Sequence, residues 1–170
     1  MLSNGNGEGG DKTFINLKLK STVWPTEEQP KFVKLDENFK ETNEDYSEMK
    51  GKLTKIKATH TPAKWQMGDI YWFKAFLEDW EEIYVIESTI TNASKDLLNA
   101  LLVNVWTTLK INLYLNKNKY PSSSVKLEDW NWAQTSMAYN EIDTAKLYDA
   151  IVAMEGPVKE EGVSMSDVPF

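Results

Sequence analysis

The stretch TFINLKLKSTVW, from Thr13 to Trp24, begins with a strict alternation of apolar and polar residues. Ile15, Leu17 and Leu19 fall on one side, and Phe14, Asn16, Lys18 and Lys20 on the other. A period of two fits an extended strand with one buried face and excludes a helix, whose apolar positions recur every three to four residues. The same period returns in KGKLTKIKATH (Lys50 to His60), DIYWFKAFLED (Asp69 to Asp79), EEIYVIEST (Glu81 to Thr89) and WTTLKINLYLN (Trp106 to Asn116), with a last strand in SSSVKLEDWNW (Ser122 to Trp132). A chain punctuated in this way must be built around a β-sheet. Leu53 is out of phase with Ile56 and Ala58, which predicts a bulge close to Gly51. The third and fourth segments meet at the charged turn EDWEE and read as a hairpin.

Two segments change period. In TNASKDLLNALLVN, Leu97, Leu98, Leu101 and Leu102 follow the cap candidates Thr91, Asn92 and Ser94, which predicts a short helix. Ile142, Ala145, Leu147, Ile151 and Met154 predict a second one near the C-terminal end. Residues 1–11, rich in glycine and asparagine, read as a flexible leader. Residues 24–48, acidic and interrupted by Pro25 and Pro30, read as a long loop or edge insertion around KFVKL. Residues 133–154 form a helical extension in this reading, and 155–170 a disordered acidic tail. Three strands, a helix and two strands are the order of an OB-fold, so the expectation for 12–132 is a mainly β, five- to six-stranded small barrel of that type.

The absence of cysteine excludes disulfides, cysteine-type zinc clusters and thiol nucleophiles. No apolar run approaches the roughly 18 residues of a membrane span, and MLSNGNGEGGDK lacks the features of a signal peptide, which suggests a soluble, cytoplasmic protein. All nineteen basic residues are lysines. Lysine suits phosphates as a point charge, whereas the bidentate reading of guanine belongs mainly to arginine. The net charge of −7 hides an uneven distribution. Pro25 to Glu48 holds eight acids and three lysines, while Met49 to Lys126 holds eleven lysines and seven acids. The acidity lies in the flanks and the middle is basic.

The strand faces carry the functional argument. Phe14, Lys18 and Lys20 share a face of the first strand, and Lys55 and Lys57 one of the second. Trp72, Lys74 and Phe76 share a face of the third, and Trp106, Lys110 and Tyr114 a face of the strand after the helix. Flat rings for unpaired bases and cations for phosphates are what single-stranded nucleic acid requires, and neither reads sequence. Trp130 and Trp132 are expected to pack against the helix. His60, the only histidine, reads as a surface or turn residue, and Glu78, Asp79, Glu81 and Glu82 as solvated turn carboxylates. No glycine-rich phosphate loop is present. The expectation is a binding protein without catalytic residues, metal or cofactor.

The sequence closes on GVSMSDVPF. A barrel of OB type followed by an acidic tail ending in Asp-Val-Pro-Phe resembles the single-stranded DNA-binding proteins of bacteria and their phages, whose tails commonly end in Asp-Asp-Ile-Pro-Phe. The resemblance implies that Asp167, Val168, Pro169 and Phe170 form a tip that docks on replication and recombination proteins. Ser166 stands where the family usually has a second acid, and the acidic insertion and extra helix are more like a divergent phage member. The function so implied is coating of single-stranded DNA without sequence preference in phage replication or recombination, in the host cytoplasm, with self-association possible. The alternatives are an RNA-binding OB protein, a protein-interaction module using the aromatic face, and a metal-dependent nuclease using the turn carboxylates.

Overall fold

Alternating segments become strands here because one side of each can be buried in a core shared with two helices. The computed structural model describes residues 13–21, 27–62, 68–90 and 92–155. Its elements are β1 (Thr13–Lys20), β2 (Lys31–Leu35), β3 (Glu41–Tyr46), β4 (Glu48–Thr61), β5 (Ile70–Asp79), β6 (Glu82–Thr89), α1 (Asn92–Leu101), β7 (Thr108–Leu115), β8 (Pro121–Leu127) and α2 (Thr144–Glu155). The strands form one sheet in the order β3-β2-β1-β6-β5-β4-β7-β8. Among the described residues only β1 and β6 pair in parallel; the other pairs of neighbours are antiparallel.

This is a mainly β protein with a helix between β6 and β7 and a second helix at the C-terminal end, as the periodicity predicts. The strand count differs, at eight among the described residues rather than five or six. The two additional strands, β2 and β3, lie in the acidic stretch 24–48, for which the expectation is a long loop or an edge insertion around KFVKL; β2 is that KFVKL, and the pair forms one edge of the sheet. Phe32, Val33 and Leu35 of β2 are buried. The turn to β3 is set by Asp36, whose Oδ1 accepts the N–H groups of Asn38 at 2.8 Å and Lys40 at 3.0 Å. The strands after the helix also lie elsewhere than an ordinary OB order implies: β7 and β8 extend the sheet beyond β4 instead of reaching β1.

The sheet is curled into a half-barrel, and chain continuity explains why. Only Ser47 separates β3 from β4, yet four strands lie between them in the sheet. In a flat sheet with neighbours about 4.8 Å apart, the gap would be roughly 24 Å. Two residue steps reach at most about 7 Å. The sheet must therefore curl until its acidic edge comes round to β4.

Strand β4 bends where it leaves β7 and joins β5. The register with β5 shifts between Leu53 and Lys55, leaving Thr54 as the extra residue of the predicted bulge. The extra residue restores phase, so Lys50 and Lys52 before it share a face with Lys55 and Lys57 after it. Glycine at 51 permits the close approach. A Cβ there would lie 2.9 Å from Leu77 Cβ and 3.3 Å from the Glu78 carbonyl oxygen.

The buried face carries Leu17, Leu19, Phe32, Leu53, Ile56, Phe73, Leu77, Ile86, Leu109, Ile111 and Leu113, against Leu97, Leu98 and Leu101 of α1 and Leu147 and Ile151 of α2. Helix α1 packs on β8, and α2 on β4 and β5. Two buried amides tie the chain after β8 to α1. Asn99 Nδ2 donates to the Met137 carbonyl at 3.0 Å while its Oδ1 accepts the Met137 N–H at 2.8 Å, and Asn104 Nδ2 donates to the Gln134 carbonyl at 3.0 Å. His60 is exposed, as expected of a surface residue, and lies on this side of the sheet. Its ring stacks on Tyr71 at 4.7 Å, meets Tyr148 of α2 edge-on at 5.8 Å, and its Nε2 lies 3.3 Å from Asp69 Oδ1. Among the described residues no helix is long and apolar enough to cross a membrane.

Candidate nucleic-acid interface

With the helices on one face, the other face of the sheet is left open, and strand register fixes what it displays. Residues paired directly across neighbouring strands lie on the same face. On this criterion Phe14, Lys18 and Lys20 of β1, Trp72, Lys74 and Phe76 of β5, Lys55 and Lys57 of β4, and Lys110 and Tyr114 of β7 all belong to the open face. Trp106 precedes β7 in a turn rather than lying within the strand. It still reaches this face, because its N–H donates to the Leu53 carbonyl and the Leu53 N–H donates to Thr107 at 2.9 Å, fixing the turn beside the bulge. The tip residues Asp167, Val168, Pro169 and Phe170 lie outside the described residues.

Three tryptophans on the open face each have a lysine ammonium over the ring. Lys52 Nζ is 5.7 Å from the Trp106 centroid, Lys110 Nζ is 3.6 Å from that of Trp130, and Lys126 Nζ is 4.9 Å from that of Trp132. These distances are within the range of cation–π attraction. The rings are nonetheless open to solvent, Trp106 at 68%, Trp130 at 66% and Trp132 at 65%. The expectation that Trp130 and Trp132 pack against the helix is therefore overturned. The reason is a tight reversal after β8. Asp129 Oδ1 accepts the Asn131 N–H at 3.1 Å, Trp130 adopts φ 69°, and the chain turns back so that Trp132 bridges to Lys126. A local signal was present, since LEDWNW contains an aspartate two residues before an asparagine, the pattern of a side-chain-capped turn.

The lysines are arranged against their own repulsion. Lys57 stands directly opposite Lys74. Lys50 stands opposite Lys110, which stands opposite Lys126, a row of three ammonium groups across β4, β7 and β8. Like charges in directly opposed positions destabilise a sheet. A polyanion laid across the row would reverse the sign of that interaction. Beside the row lies Glu128, whose Oε2 is 3.6 Å from Lys50 Nζ.

The β1 side of the open face is different. Lys20 Nζ donates to Glu41 Oε1 at 2.7 Å and Lys18 Nζ to Glu41 Oε2 at 3.3 Å. The hydrogen bond from Lys20, and after it that from Lys18, holds the Glu41 carboxyl below the ordinary carboxylate range. The same contact raises Lys20 above an ordinary lysine. Between the β2–β3 turn and β5 lies a groove of about 1010 Å³, lined by Phe39, Glu41, Trp72, Lys74, Val85 and Glu87 among others.

Among the described residues Trp80 is the most exposed large apolar side chain, at 90%, in the two-residue turn between β5 and β6 with φ 56°. Glu78, Asp79, Glu81 and Glu82 flank it in sequence. Register places Glu78 on the open face and Asp79 with Glu82 on the other, and Glu82 Oε1 accepts the Tyr84 hydroxyl at 2.8 Å. Among the described residues no group of three or more histidine or acidic side chains is placed to hold a metal ion. No protein-family model, curated protein or solved structure matches this chain.

Proposed function

We propose that the protein binds single-stranded DNA on the open face of its sheet, without reading sequence, and coats it during phage replication or recombination inside the host cytoplasm. The observation that carries this reading is the alignment of three solvent-open lysine–tryptophan pairs with a row of mutually opposed lysines. Each ring offers a π-face to any base, and each ammonium a partner for the adjoining phosphate. Lysine without arginine favours backbone contact over base reading. A folded sheet that holds ammonium groups against one another is stabilised by an anionic ligand, which supplies a physical reason for their placement.

We read the curled sheet as a variant of the OB barrel. In that reading β4, β5, β6, β1 and β2 would supply the five strands of the fold, and the link from β3 through Ser47 to β4, not a strand after the helix, would bring the two ends of this set together. In this proposal Asp167, Val168, Pro169 and Phe170 recruit replication or recombination proteins.

Intrinsic tryptophan fluorescence tests the reading directly. Titration with oligo(dT) at low salt is expected to quench the emission strongly, and a duplex of equal length to quench it less. Quenching by oligo(rU) in preference to oligo(dT) would make the protein an RNA binder. No quenching by either oligonucleotide would defeat the proposal and leave the aromatic face to a polypeptide partner.

A further inference from the structure

The two ends of the open face differ in what their lysines already hold. On β1, one carboxylate spans Lys18 and Lys20, with an oxygen on each ammonium at 3.3 and 2.7 Å. Lys18 also faces Glu87 of β6 in register, and Glu87 faces Lys74 of β5 on its other side, so this acid is shared, whereas Glu41 serves the β1 lysines. The edge strand β3 repeats the arrangement on β2, with Asp45 at 3.3 Å from Lys31 and Glu44 at 3.3 Å from Lys34. Every acid of β3 is thus matched to a lysine of β1 or β2. The β4–β7–β8 row has no comparable strand of acids beside it.

We infer that Glu41 occupies a phosphate position on β1, so that the nucleic-acid track crosses β5, β4, β7 and β8 and stops before β1. The inference rests on the proposed function and narrows it, because Lys18 and Lys20 then leave the set of phosphate contacts. A carboxylate with two oxygens between two ammonium groups presents them with the charge and geometry that a phosphodiester would. It is also intramolecular, so an incoming phosphate competes against a high effective concentration. Exchanging it for a phosphate would release no counterion from these lysines, so β1 adds nothing to the salt dependence of binding.

The test is a cycle of Glu41→Gln and the double variant Lys18→Gln/Lys20→Gln, alone and combined, titrated with oligo(dT) between about 50 and 200 mM salt. Glu41→Gln is expected to tighten binding roughly three- to tenfold at the lower salt. It should also steepen the slope of log K against log salt by up to about 1.4, the value for two new contacts on a single strand. The lysine double variant should change neither quantity, and adding it to Glu41→Gln should remove the gain. Thermal melts of each variant report whether it is folded.

Two results overturn the inference while leaving the proposed function intact. One is Glu41→Gln with unchanged affinity and slope; the other is a loss of affinity with a shallower slope in the lysine double variant alone. Failure of the unmodified protein to bind any oligonucleotide defeats the proposed function, and this inference with it.

Discussion

Each indole at positions 106, 130 and 132 is held against a lysine yet open on its far side, and this makes the three rings separable from Trp80 by experiment. Replacing Trp130 or Trp132 by alanine should weaken oligo(dT) binding by about 1 to 3 kcal/mol for each lost stack. Trp80→Ala should leave affinity unchanged, because four acids beside that ring repel phosphate. Fluorescence anisotropy with a labelled oligonucleotide reads both outcomes, and a larger loss at Trp80 would reverse the assignment. The alternation of β5 and β4 made Trp72, Lys74, Phe76, Lys55 and Lys57 legible from sequence as residues of one face. Trp130 and Trp132 were not, because they follow the last regular strand. There the face a side chain joins is decided by the turn at Asp129 and one left-handed residue, not by a period.

At the scale of elements, β4 carries the architecture, and Gly51 is its tightest point. Adding a methyl group there should destabilise the fold by about 1 to 3 kcal/mol, since the neighbours it meets are Leu77 Cβ and a backbone carbonyl, which move only with β5 itself. A urea melt of Gly51→Ala should show a lower midpoint with an unchanged slope, and an unshifted midpoint would mean that the two strands separate freely. The bulge beside it was readable from the phase slip at Leu53, and the helix α1 from its leucine spacing. Strand β3, ETNEDY, was not readable, because a strand with both faces exposed has no apolar period to display. Its register is set instead by pairing with β2 and by the lysines its acids meet.

For the whole molecule, the sum of charge and its placement point in different directions. The chain is −7 overall, yet the track proposed for DNA is lined by lysines, so acids outside the track set the background against which a polyanion must bind. Residues 156–170 contribute three acids and one lysine. A chain ending at Glu155 should bind oligo(dT) as tightly as the full chain or slightly better at low salt, with the difference vanishing as salt rises. Weaker binding by the shortened chain in a filter assay would place some of these residues on the ligand. Neither the curl of the sheet that brings β3 round to Ser47 and β4 nor the path of β7 and β8 outside β4 was visible in the sequence, since both depend on which strands pair, and alternation says only which side of a strand is buried.

Trp80, Trp106 and Trp130 all adopt positive φ, at 56°, 75° and 69°, where glycine would sit without steric penalty and asparagine at a smaller one. Selection for heat resistance alone would be expected to replace these rings, whereas selection for ligand would keep Trp106 and Trp130 at the expense of backbone ease. A thermostability campaign on this protein that scored only melting temperature would therefore drift toward a sturdier molecule with a blank face.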